Sequence, residues 1–195
     1  MDRKEIRITG YGGQGVVLLG YITGRASAVN SGLHATMIQS FGPEARGSAC
    51  SATLAISSTE VLYPYIQHPD VLIAMSSEGY EKFHDELKGD GFLIYERDLV
   101  HPVLKEGQPA YGVPSTRIAE SLGRGLVQNI VMLGFFAAVT KLLSRDAVRD
   151  AVKASVPAGT EDLNLKAFDA GWNYYEEEFG GKKAEGGEKA AAAKG

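Results

Sequence analysis

Apolar positions along this chain follow two rhythms, one of two residues and one of three to four, and segments of each kind alternate. The opening stretch EIRITG sets Ile6 and Ile8 between charged neighbours and stops at a glycine, which predicts a strand with one buried face. Beyond a glycine-rich loop, Leu18, Ile22, Ala26 and Val29 recur at helical spacing, with Gly32 placed to cap the helix end. HATMIQSF reads as a second strand. In the third, Cys50, Ala52, Leu54 and Ile56 form a small apolar face and alternate with Ser51, Thr53 and Ala55. The few residues between these two strands predict antiparallel pairing, because a parallel crossover needs about a dozen or more.

DVLIAMS is apolar throughout, as a strand covered on both faces would be. Ser76 and Ser77 can cap the helix that follows, with Glu78 in its first turn, Tyr80, Phe83 and Leu87 on one side, and Gly89 at its end. GFLIYE and PAYGVP predict two more strands, and STRIAESLG a short capped helix. An almost wholly apolar helix is predicted from Asn129 to Leu143. Another starts at Ser144 with Val148, Ala151 and Val152 turned inward, and the last carries Leu165, Phe168, Trp172, Tyr175 and Phe179.

Strands alternating with helices predict an α/β fold of three layers, α/β/α, Rossmann-like, with a mostly parallel sheet carrying some antiparallel pairing. One domain is expected over residues 1–180. Residues 181–195 are low in complexity and lack an apolar face, so a disordered tail is expected there.

Composition narrows the function classes. With a net charge of −4, the chain has no basic excess to suit it to nucleic acid. Its N-terminus shows no apolar signal core, and its longest apolar run, Ile130 to Val139, is about half the roughly 20 residues that span a bilayer. A cytoplasmic protein without membrane contact is expected. A single cysteine, Cys50, excludes an intrachain disulfide and a cluster held by several thiolates of this chain. His34, His68, His84 and His101 are scattered without metal-ligand spacing, and no nucleophile–base or carboxylate pair stands out. Neither a catalytic nor a metal-binding residue is assigned.

Candidate chemistry concentrates in RITGYGGQGVVLLG. Gly10, Gly12 and Gly15 fit the G-x-G-x-x-G spacing between a strand and a helix, where glycines let a phosphate approach backbone N–H groups. The pattern is incomplete. A dinucleotide site places an acid about 20 residues on, and Leu33 to Ser40 contain none; nor does a Lys-Ser/Thr pair follow the loop, as a P-loop requires. The other reading is tight strand-to-helix packing with close approach by another chain. A second turn-rich stretch, SFGPEARGSACSA, offers Glu44 and Arg46 between Gly42, Pro43 and Gly47. Its arginine is suited either to bidentate anion capture or to a local pair with Glu44.

Together GYGGQGVVLLG, GPEARGSACSA, YPYIQHPDVLIAMSSEGYEKF, NIVMLG and NLKAFDAG resemble the gamma subunit of the 2-oxoacid:ferredoxin oxidoreductases, from about Glu5 to Phe179. The resemblance implies a non-catalytic component of an enzyme that converts a 2-oxoacid and coenzyme A to acyl-CoA by oxidative decarboxylation. Thiamine diphosphate and magnesium would be held by alpha and beta subunits, and 4Fe-4S clusters by a delta subunit or its equivalent. Ferredoxin would accept the electrons, or NAD through an added flavin subunit. The resemblance also implies that Gly12, Gly13, Gln14 and Gly15, with Ser40, Gly42, Pro43, Glu44, Arg46 and Gly47, form a ligand or subunit boundary at one end of the sheet. Asn129 matches a family position and is read as an N-cap or loop hydrogen bond. Two alternatives stand beside this reading: a self-sufficient dinucleotide-binding oxidoreductase, and a pure assembly subunit.

Overall fold

The first strand, β1 (Lys4–Tyr11), divides the molecule by the alternation of its side chains. Ile6 and Ile8 are fully buried in the main apolar core, while Arg7 faces the other side, its guanidinium 4.4 Å from the centre of the Phe83 ring. The computed structural model describes residues 1–40 and 49–180.

Six strands form one sheet. They are β1, β2 (His34–Ser40), β3 (Ala49–Ser57), β4 (Val71–Ala74), β5 (Phe92–Glu96) and β6 (Ala110–Val113), in the order β2-β3-β1-β4-β5-β6. Only β3 runs against the rest, pairing antiparallel with β2 on one side and β1 on the other. Its predicted faces hold. Leu54 lies opposite Met37 and Ile6, on the face that also buries Ala52 and Ile56. The insertion of β3 between β1 and β2 was not foreseen; local spacing fixes the β2–β3 hairpin but not where it joins the sheet.

Five helices cover the main-core face: α1 (Val16–Ala28), α3 (Ser115–Ser121), α4 (Gln128–Thr140), α5 (Arg145–Lys153) and α6 (Glu161–Glu178). The opposite face carries one short helix, α2 (Ser77–Phe83), extended by a 3-10 turn over His84–Glu86. There Tyr80, Phe83 and Leu87 pack on Leu72, Ala74 and Leu93. The three layers are therefore unequal, with a thick helical side and a thin one.

Several element-level expectations need correction. The buried arc of α1 is Val16, Leu19, Gly20, Ile22, Thr23, Ala26 and Ser27, whereas Val29 is 67% exposed. Thr23 and Ser27 hid this arc from a hydrophobic reading; their hydroxyls bond back to the carbonyls of Leu19 (2.9 Å) and Thr23 (2.8 Å), which lets them be buried. The helix stops at Ala28 with Val29 as its cap, so Gly32 (φ +64°) serves the turn beyond and not the cap itself. Helix α3 takes no cap from its own serine. Helix α4 begins at Gln128 and ends at Thr140, where Lys141 turns left-handed (φ 48°), three residues before the expected limit.

The predicted cap at Ser76 is present, and Ser144, read as the first residue of its helix, proves to be the cap before it; each hydroxyl accepts from the backbone three residues on. Two glycines set the packing of α4 on α6. A Cβ on Gly134 would strike the Phe168 carbonyl, and one on Gly171 the Val131 carbonyl. Phe135 and Phe168 are fully buried in this layer, and burial of such a ring contributes about 1.5–3 kcal/mol.

Candidate functional site

Parallel strands place their carboxyl ends along one edge, and this edge collects the loop after β1, the β4–α2 turn, the end of β5 and the start of α3. The sheet's winding reverses between β1 and β4. The chain leaves β1 for α1 on the thick side and leaves β4 for α2 on the thin side. Ligands of open α/β sheets generally enter the crevice at such a reversal.

Here the crevice is bridged by a side chain of the loop itself. Gln14 Oε1 accepts from the Tyr11 amide (2.7 Å), and its Nε2 donates to the Met75 carbonyl (3.0 Å). The Gln14 amide closes a turn on the Tyr11 carbonyl at 3.1 Å. Gly10 leaves room for this arrangement, since a Cβ there would lie 2.6 Å from Gln14 Oε1. Gly15 is the N-cap of α1 in left-handed conformation (φ 76°), and Asn129 Nδ2 donates to its carbonyl at 3.3 Å from the start of α4. Asn129 is buried and makes the loop bond that the sequence allowed; the N-cap of α4 is Val127. Gly13 also needs a positive φ (98°). Gly12 and Gly13 are exposed, and among the described residues nothing lies within 4 Å of a Cβ added to either.

The N-terminus of α1 has neither a side-chain cap nor an acid in its first turn, so its positive end faces this rim uncompensated among the described residues. Ser40 ends β2 at the same edge, opposite Ser51 of β3. Gly42, Pro43, Glu44, Arg46 and Gly47 lie outside the described residues. Of the boundary read from sequence, the structure thus keeps Gly12–Gly15 together, with Asn129 bonded to that loop from outside the predicted set, and places Ser40 two strands from β1.

That two-strand separation bears on the dinucleotide alternative. With β3 between them, the end of β2 sits about 10 Å from β1 at ordinary strand spacing, not beside the glycine loop. The neighbour of Tyr11 is Ala49 of β3, and β2 has no acid in any case. A ribose-binding carboxylate is missing from the sequence, and the strand that would carry it is displaced.

Ser76 and Ser77 are consumed locally, and Glu78 stands exposed in the first turn of α2. Ser76 is fully buried as the cap of α2, and the Ser77 hydroxyl donates to the Leu99 carbonyl. The sequence reading missed Glu96, a fully buried carboxylate at the end of β5. Its Oε2 accepts from the Thr116 amide (3.0 Å) and the Ser115 hydroxyl, and its Oε1 from the Asp98 amide (3.2 Å), so it caps α3 from a neighbouring strand. An acid closing an apolar strand, followed by an Ser-Thr helix start, was the available signal.

Two of the four histidines, His84 and His101, line a cleft of about 350 Å³ beside α2 with Ser77, Tyr80, Glu81 and Val103. The Tyr80 hydroxyl is occupied there by the Val103 backbone. Burial pushes the Cys50 thiol above its usual range, which keeps it from being a ready thiolate. Among the described residues no three His, Cys, Asp or Glu side chains converge on a possible metal position. A lone cysteine supplies one thiolate where a cluster takes several. No helix among them is long and apolar enough to cross a membrane.

The fold and rim define an asymmetric doubly wound α/β domain that presents a glycine-loop edge. Residues 5–174 match the family model for pyruvate ferredoxin/flavodoxin oxidoreductase. The 2-oxoglutarate synthase subunit KorC of Methanothermobacter marburgensis is 44% identical over 176 residues, 87% of this chain and 95% of that one. Pyruvate synthase subunit PorC of the same organism is 33% identical over 168 residues, 84% of this chain and 92% of its own. Among solved structures, the keto/oxoacid ferredoxin oxidoreductase gamma subunit of Geobacter sulfurreducens superposes with a TM-score of 0.78 at 35% identity, covering 87% and 96% of the two chains. The chain belongs to the pyruvate ferredoxin/flavodoxin oxidoreductase family, as a gamma-type subunit of a 2-oxoacid oxidoreductase.

Proposed function

We propose that this gamma subunit serves a complex that converts a 2-oxoacid and coenzyme A to acyl-CoA by oxidative decarboxylation, with 2-oxoglutarate as the leading substrate. The observation that carries the reading is the near full-length match, at 44% identity, to a subunit named for 2-oxoglutarate synthase, against 33% for one named for pyruvate synthase. Partner subunits hold thiamine diphosphate, magnesium and 4Fe-4S clusters, and ferredoxin receives the electrons. This chain contributes shape and the rim around Gly12–Gly15. Together with Ser40 and the 41–48 segment, where Arg46 is the polar anchor, the rim closes the thiamine site or receives part of coenzyme A.

The rim's chemistry supports this role. Exposed backbone and the positive end of α1 suit an anionic or carbonyl-bearing neighbour. Co-purification from the native source tests the proposal. Partner polypeptides should accompany this chain, and the complex should reduce a viologen dye with 2-oxoglutarate only when coenzyme A is present. The isolated chain should do neither. Stoichiometric binding of NAD(P) or flavin by the isolated chain would instead favour a self-sufficient oxidoreductase. In the assembled complex, Arg46→Ala should raise the KM for coenzyme A or weaken assembly; no change in either, or in turnover, removes Arg46 from the site.

A further inference from the structure

The two edges of the sheet are finished differently. At one, β6 is four residues long, lies between Pro109 and Pro114, and has Tyr111 against the Tyr175 and Phe179 rings of α6, at 6.3 and 5.6 Å between centroids. Short length, proline and cover keep an edge strand from recruiting another. At the other edge, β2 is seven residues long, and HATMIQS contains no proline, acid, lysine or arginine. Its main packing partners among the described residues are β3, on one side only, and α1 above. His34, Gln39 and Ser40 are exposed, and Ala35 to Ile38 are half-buried.

Helix α1 continues this open border. It packs on β2 and β3 through Gly20, where a Cβ would lie 3.0–3.2 Å from Met37, Ala52 and Leu54, and its far side rests against α5. At about 100° per residue, Val17, Tyr21, Gly24 and Ala28 fall on the flank turned outward past β2. Tyr21 is 48% exposed, and Ala28 is exposed too. Gly24 has ordinary helical backbone, and a Cβ there would make only an ordinary contact, 3.7 Å to Leu54. Among the described residues, nothing calls for a glycine at a position where it weakens the helix.

We propose that the β2 edge and this flank of α1 dock a second copy of the chain, with β2 pairing antiparallel to its twin about a two-fold axis at Met37. The register is self-complementary: His34 meets Ser40, Ala35 meets Gln39, Thr36 meets Ile38, and no like charges face each other. Thr36 beside the other copy's Ile38 is a β-branched pair of the kind that stabilises a sheet. The axis stands perpendicular to the sheet, so both α1 helices stay on the thick side. Because α1 bridges β2 and β3, it lies about 5 Å from that axis at ordinary strand spacing, and the two helices run about 10 Å apart, a packing distance. A strand from an unrelated chain would satisfy the β2 backbone but would leave the small, apolar flank of α1 unexplained. This inference goes beyond the gamma-subunit reading and does not depend on it.

Sedimentation velocity of the full chain tests it, with a dimer expected to dominate at about 100 μM. Thr36→Lys puts a charge into each half of the pairing and should weaken the dimer by about tenfold or more, while its monomer melts as wild type does. Thr36→Cys mixed with Ile38→Cys should cross-link under mild oxidation. Thr36→Cys alone should not, because residue 36 of one copy lies diagonal to residue 36 of the other; the native Cys50 is buried in both. A chain that stays monomeric at about 100 μM overturns the proposal, as does a dimer indifferent to both Thr36→Lys and Tyr21→Ala. Should Thr36→Lys fail to fold, hydrogen exchange of the wild type decides: β2 amides should exchange more slowly at dimer concentration than after dilution. Equal rates, or protection gained only when partner subunits are added, give the edge to another segment or another chain and sink the proposal.

Discussion

Gly15 carries two constraints at once, a left-handed backbone and the Asn129 side chain packed where a Cβ would stand. Gly15→Ala should therefore destabilise the isolated chain by more than the about 1–2 kcal/mol that handedness alone costs. Adding Asn129→Ala should return the steric part and leave the backbone part, so urea midpoints of the single and double variants separate the two causes. A different residue makes stability depend on pH. Burial alone would raise the Asp169 carboxyl, but hydrogen bonds from Arg149 and Arg145 outweigh it and hold the group below its usual range. A depressed carboxylate adds stability that is present above the unfolded value of about 4 and is lost as pH falls below it. The melting temperature of Asp169→Asn should accordingly be lower than wild type at neutral pH, with the gap narrowing below about pH 4. Residue roles of this kind were only partly legible. Gln14 could be singled out from its glycines, but its acceptor on Met75 is 61 residues away, and no local pattern records such a bond.

Elements were more legible than residues, because burial writes its period into the sequence. The both-faces-apolar reading of DVLIAMS matches a fully buried β4, and the alternation of Cys50, Ala52, Leu54 and Ile56 matches the core face of β3. Failures fell where polar or glycine residues do the packing. Thr23 and Ser27 line the buried arc of α1, and Gly171 with Gly134 brings α6 against α4. The hydrophobic stripe of α6 was read as Leu165, Phe168, Trp172, Tyr175 and Phe179, yet apart from Phe168 these are only partly buried, while Asn164, Ala167 and Gly171 are buried. Gly171→Ala should force the two helices apart, because the new methyl meets backbone and not a movable side chain. The expected loss is about 3 kcal/mol or more, read by denaturant unfolding. Gly180→Ala, just past the end of α6, should cost far less although its Cβ is crowded too, since Gly180 is exposed and only closes the terminus.

At the scale of the molecule, layer type and the mostly parallel sheet followed from the alternation of strands and helices, but strand order did not. Order depends on which edges meet, and that is settled by long-range burial that one sequence does not display. The insertion of β3 beside β1 has a consequence for biosynthesis. Both sheet partners of β1, β3 and β4, lie downstream of β2 in the chain. While the ribosome has released only the first 40 residues, Ile6 and Ile8 have no strand to rest against, and the lane between β1 and β2 stays vacant. It is β3 that fills the lane, paired with β2 on one side and β1 on the other, and antiparallel pairings of this kind close in about 1–10 μs once both strands are available. The earliest-made strand thus waits for a later hairpin, and a nascent chain arrested before Ala49 emerges would expose its most apolar strand face to whatever chaperone is nearby.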